Sequence, residues 1–181
     1  WTGLAVLEMV DRVLLPVTEP ARAFYVLASK SVDEMVFAVS RQVQGYCHQP
    51  DVELVVAMET SFPPRRNARA WEHTAQVRGA VKTAISLFGP ARLVEMSATE
   101  VRLALNLPGL SREDRLLKKI AGRHQFSKSM DMRVRERFCL LTGLDEKIFK
   151  GKTGSHKVDA GAIAYVTALR HLRAQNERLV A

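Results

Sequence analysis

The sequence predicts an α/β protein with a mixed sheet. Three observations lead there. Short runs rich in Val, Leu and aromatic residues alternate with segments whose apolar residues recur at helical spacing. Two Ser-x-x-Glu capping boxes, Ser31 to Glu34 and Ser97 to Glu100, mark helix starts. Gly89-Pro90 and Pro108-Gly109 punctuate the segments between.

Trp1 to Met9 alternates weakly and places a strand at Leu4-Ala5-Val6-Leu7. Arg12 to Val17 continues it through a turn, and Phe24-Tyr25-Val26-Leu27-Ala28 is a further strand. Ser31 then caps a helix to about Tyr46, with Met35, Val36, Val39 and Val43 on one face. After Pro50-Asp51 comes the apolar run Leu54-Val55-Val56-Ala57-Met58, read as a buried strand closed by Glu59. Asn67 is the expected N-cap of a long helix, Ala68 to Phe88, stopped by Gly89-Pro90. Arg92 to Met96 reads as a short strand, and the second capping box opens a helix to about Leu105. Ser111 caps a basic helix, Arg112 to about His124, and another helix runs from about Ser129 to Leu141, ending at Gly143. Gly151 to Ser155 is a loop, and the last helix starts near Lys157 and runs towards Leu179. No G-x-G-x-x-G follows any strand, which argues against a dinucleotide-binding sheet.

The length fits one domain with a real core. Its charge is less ordinary: a net +8 and a pI near 9.9 favour a polyanionic partner, nucleic acid before membrane. Almost all of the excess lies between Arg112 and Lys157, where 13 basic residues face 6 acidic ones. A solvated basic surface explains the same numbers. Cys47 and Cys139 form no spacing motif and suit buried small side chains in a reducing compartment. Nothing completes a tetrahedral set around Cys47-His48, so zinc is rejected. No apolar run reaches the ~18 residues of a membrane span, so no membrane association is expected. The N-terminal residues do not read as a signal peptide, so the protein is not expected to be secreted.

Two familiar motifs fail. Gly151-Lys152-Thr153 ends like a P-loop, but Glu146 stands where the loop needs its first glycine. No G-x-S-x-G occurs. A better constellation is Glu59, at a strand end, with His156 and Asp159, three residues apart at the start of the final helix. Such a set suits divalent metals; two of them about 3.5–4 Å apart activate water and stabilise the leaving oxygen of a phosphodiester. Asp159 also suits the positive end of a helix dipole, and His156 reads equally as a loop histidine.

The stretch from Glu59 to Gly79 resembles the RuvC-type Holliday-junction resolvases of the RNase H-like superfamily. It carries Glu59, Phe62, Asn67 and Gln76-Val77-Arg78-Gly79, with one extra residue between Phe62 and Asn67. Thr99-Glu100-Val101-Arg102 resembles that family's Glu-Val-Lys signature. Val158-Asp159-Ala160-Gly161-Ala162-Ile163-Ala164 is similar to its closing helix, and Trp1 to Glu8 to the strand after its first acidic motif. The ordered set covers nearly the whole chain.

The resemblance implies a single RNase H-like nuclease domain over residues 1–181, with a mixed central β-sheet flanked by helices. It implies that Glu59, His156 and Asp159 ligate metal, two Mg²⁺ or Mn²⁺ ions per active site. Arg102 stands where a lysine steadies the scissile phosphate, with Arg112 or Arg115 near a second such position; arginine keeps the charge and changes the geometry. Phe62 would stack on a base, its bland alternative being a core phenylalanine. Arg65, Arg66 and Arg69, and Arg112, Arg115, Lys118 and Lys119 along the basic helix, would contact phosphates. Gln76, Arg78 and Gly79 serve helix packing and a dimer contact. The implied activity is paired, metal-dependent cleavage of a four-way DNA junction by a homodimer. The implied location is cytoplasmic and nucleoid-associated, or organellar, or that of a phage-encoded protein. Alternatives are a non-catalytic junction-binding member, or a nuclease acting on flaps or RNA–DNA hybrids.

Two departures stand out. The segment of about residues 112–155 is longer than the family pattern, and reads as a basic helical insertion that contacts DNA or extends a dimer. The family's first strand, with its catalytic Asp, is absent, so further residues are expected before Trp1, since a sheet without its central strand leaves backbone unpaired.

Overall fold

A computed structural model describes residues 2–10, 13–16, 24–27, 31–47, 53–60, 68–88, 92–107, 112–120 and 122–180. The strands are β1 (Thr2–Ala5), β2 (Leu7–Val10), β3 (Val13–Pro16), β4 (Phe24–Leu27), β5 (Val55–Glu59) and β6 (Arg92–Met96). The helices are α1 (Val32–Cys47), α2 (Ala68–Phe88), α3 (Ala98–Ala104), α4 (Arg112–Ile120), α5 (Gly122–Thr142) and α6 (Gly154–Val180), with a 3-10 turn at Glu146–Phe149. The architecture is α/β and mostly helical. Among the described residues no helix is long and apolar enough to cross a membrane.

In place of one mixed central sheet, the described strands pair two by two. β1 joins β4, β2 runs antiparallel to β3, and β5 runs parallel to β6. The strand expected over Leu4–Leu7 breaks at Val6. The register Val10↔Val13 then pairs β2 with β3 across a two-residue connection. Chain contacts divide the molecule into two compact units, Trp1–Thr2 with Leu27–Ser97 and Gly3–Val26 with Ala98–Ala181.

The first unit is built on the β5–α2–β6 crossover that a parallel pair requires. Ser31 caps α1 as its capping box predicts: Glu34 N–H donates to Ser31 Oγ at 3.2 Å. Met35 and Val39 on α1 meet Val81 and Ile85 on α2 in a buried cluster. Val43, Val77, Val56, Met58 and Leu93 pack around it. Each fully buried aliphatic side chain contributes about 2 kcal/mol. The strands obey a period of two: Val56 and Met58 of β5, and Leu93 of β6, reach this cluster. Val55 to Met58 are nonetheless only half-buried, so β5 is not the deeply buried strand its composition predicts.

The second unit has an aromatic centre. Phe138 of α5 is fully buried, with its ring edge-on to Phe149 at 5.7 Å and to Tyr165 at 6.2 Å. Met130, Val134 and Phe138 recur every fourth residue on α5, and Val158, Ala162 and Val166 do so on α6; all six are buried. Arg137 Nε donates to the Leu105 carbonyl at 2.9 Å and holds α5 against the end of α3. Gly143, at φ +70°, closes α5 by donating to the Cys139 carbonyl at 2.8 Å.

The basic segment 112–155 is therefore no mere surface addition, because it supplies Phe138 and Phe149 to this centre. Its helices also differ from expectation. α4 stops at Ile120, and α5 begins at Gly122, well before Ser129. α6 begins at Gly154, so His156 lies in a helix and not in a loop.

Candidate functional site

Glu59 is the last residue of β5, and its side chain is exposed. Its register partner is Met96, and the next residue, Thr60, donates its N–H to the Met96 carbonyl at 2.7 Å. By strand alternation Glu59 points away from the face where Met58 packs on α1 and α2. The carboxylate thus stands clear of the apolar cluster, at the C-terminal edge of a parallel pair.

His156 and Asp159 both lie in the first two turns of α6, and both are exposed. Their three-residue spacing puts them on one helix face. The start of α6 is fixed by close backbone packing. Gly151 takes φ +96°, and Gly154 N–H donates to the Gly151 carbonyl at 3.1 Å. A Cβ on Gly154 would overlap the Phe149 carbonyl oxygen, so the first turn of α6 rests directly on the 3-10 turn.

Glu59 belongs to the first unit, and His156 and Asp159 to the second. Only the last two are brought together by a shared element. Carboxylate oxygens suit Mg²⁺ or Mn²⁺, and an imidazole suits softer ions as well. Among the described residues no group of three or more His, Cys, Asp or Glu is placed to hold a metal ion.

The basic residues divide further. Arg102 is half-buried, and its Nε donates to the Ala98 carbonyl at 3.0 Å, one turn back in α3. That bond holds the guanidinium along its own helix and leaves the Nη groups for other contacts. Arg112, Arg115, Lys118 and Lys119 all fall on α4, where Lys119 is exposed. Asp114, in the same helix, is buried and pairs with Arg133 of α5 at 2.9 Å. Arg69 lies in the first turn of α2. Phe62, Arg65, Arg66 and the expected cap Asn67 lie outside the described residues.

Arg78 does serve packing. It reaches Glu95 of β6 at 3.1 Å, and Lys82 reaches the same oxygen at 2.7 Å. Hydrogen bonds from Lys82 and then Arg78 hold the Glu95 carboxyl below its ordinary value of 4.5, against the opposing effect of burial. This cluster was missed in the sequence. Its signal is two cations four residues apart on α2 with a lone acid in the next strand. Gln76 and Gly79 are exposed, and a Cβ on Gly79 would meet nothing within 4 Å, so among the described residues neither carries packing in the first unit. Cys139 is a buried free thiol, as its isolation in the sequence predicts. Burial pushes it up from 9.0 to about 11, with Glu146 adding to the shift, which makes it a poor nucleophile.

No protein-family model matches the chain, and no curated protein matches it.

Proposed function

We propose that this protein is a structure-selective DNA endonuclease with an RNase H-like fold that resolves four-way junctions. The observation that carries the reading is the position of Glu59. It is the terminal residue of a parallel strand, exposed, and turned away from the apolar cluster. It opens an ordered series of motifs that continues through Arg78 and Arg102 to Asp159. His156 and Asp159, exposed on one face at the start of α6, support it, as does the net charge of +8.

In this reading Glu59 on β5, and His156 and Asp159 on α6, are metal-ligating residues, and Mg²⁺ or Mn²⁺ when bound would activate water for phosphodiester hydrolysis. Arg102 lies beside the scissile phosphate and offsets its charge. Phe62 stacks on a base, and Arg65, Arg66, Arg69 and the cations of α4 hold the backbone. Two symmetric nicks need two sites, so the acting species is a homodimer.

The experiment is a titration of Mg²⁺ and Mn²⁺ into the protein with a synthetic four-way junction, a flap and a plain duplex. Paired symmetric nicks confined to the junction are expected. Metal-dependent cutting of the flap alone makes it a different nuclease. Junction binding without cutting at any metal concentration leaves a DNA-binding protein and removes the catalytic claim.

A further inference from the structure

We infer that the segment from Asp145 to Lys157 is a phosphate-contacting surface that engages a duplex arm of DNA. It rests on the nucleic-acid reading above and adds a contact region to it. The segment carries four lysines against two acids. Both acids are engaged locally. Asp145 caps the 3-10 turn, its Oδ1 accepting from the Lys147 N–H at 2.9 Å, and Glu146 approaches Arg135 at 3.8 Å.

Three of these lysines face outward, and Lys157 is half-buried. Lys147 and Lys150 are three residues apart across a 3-10 turn, a geometry that stacks side chains at i and i+3 along one edge. Lys147 is 79% exposed, and its 3.9 Å approach to Asp145 is worth little at that exposure. Lys150 and Lys152 are exposed, and among the described residues neither pairs with a carboxylate. The exposed ring of His156 follows one turn into α6.

The backbone beneath these cations is pinned. Phe149, at 1% exposure, sits edge-on to Phe138, and Gly154 packs on the Phe149 carbonyl. A cationic row on a fixed base repels itself, and a polyanion relieves that repulsion while releasing counterions. No large apolar side chain is exposed in the segment: Ile148 is half-buried and Phe149 buried. A protein partner would need such anchors, whereas a phosphate backbone needs only charge.

The test compares the full-length wild type with the triple variant Lys147→Gln, Lys150→Gln, Lys152→Gln. Binding to a labelled four-way junction and a plain duplex is followed by anisotropy, without divalent metal, between about 50 and 200 mM salt. The variant should bind both DNAs more weakly, with a log–log salt slope shallower by about 2 to 3. The corresponding Lys→Arg triple should restore the slope, which a folding defect in the Gln triple would not explain. Unchanged affinity and slope in the Gln triple overturn the inference and leave the nuclease reading standing. A shallower slope in a protein that never cuts junctions supports the inference and removes the nuclease reading. Wild type that binds no DNA removes both.

Discussion

A methyl group at position 154 would occupy the space of the Phe149 carbonyl oxygen, which belongs to backbone and has no rotamer to yield. Gly154→Ala should therefore cost about 3 kcal/mol, at the upper end for overpacking, as read by urea denaturation. Gly79 supplies the contrast. Its Cβ position is open, so Gly79→Ala in the interior of α2 should be neutral or stabilising by up to ~1 kcal/mol. Equal effects at the two sites would contradict the packing described here. The candidate side chains were legible as residue types: Glu59 at a strand end, His156 and Asp159 three apart. The start of α6 was not. Gly151 to Ser155 is locally loop-like, and its closure depends on a carbonyl that no spacing rule exposes.

The elements most legible in the sequence were those with local punctuation. Asn67 and Gly89-Pro90 bracket α2 at Ala68–Phe88, and β6 falls at Arg92–Met96. The α5 start was misplaced by several residues: it falls at Gly122, inside the run that reads as the tail of the preceding basic helix. Between α2 and β6 the Glu95 cluster makes a pH-dependent prediction. A carboxyl held below its ordinary 4.5 binds fewer protons in the folded state than in the unfolded chain. Its contribution is present above pH ~4.5 and is lost as pH falls through the lowered folded value. Melting temperatures from neutral to acid pH should therefore converge for wild type and Glu95→Gln, with wild type more stable only above that window. The neutral-pH gap should be about 1 kcal/mol for pairs this exposed. A constant gap at every pH would mean that charge is not what Glu95 contributes.

At the scale of the whole molecule, α/β character was legible and the pairing of strands was not. Alternating apolar runs announce strands, but which strand joins which depends on contacts distant in sequence. The basic segment 112–155 misled in a similar way: its charge is local and visible, whereas the burial of Phe138 and Phe149 is a tertiary fact. Phe138→Ala should cost about 4 kcal/mol on chemical denaturation. A cost below ~1 kcal/mol would contradict a centre built on that ring. Deleting the segment would destroy this centre, so the DNA contacts proposed for it are to be tested by substitution at exposed lysines. The site assignment itself is decided by one assay: cleavage and binding of a four-way junction by Glu59→Gln beside wild type, with Mg²⁺ present. The near-isosteric change removes the charge at the end of β5 and keeps the size of the side chain. Loss of cleavage by at least about 100-fold, with junction affinity within about threefold of wild type, is expected if Glu59 acts only on the chemical step. A Glu59→Gln protein that still cuts as wild type does would contradict the assignment.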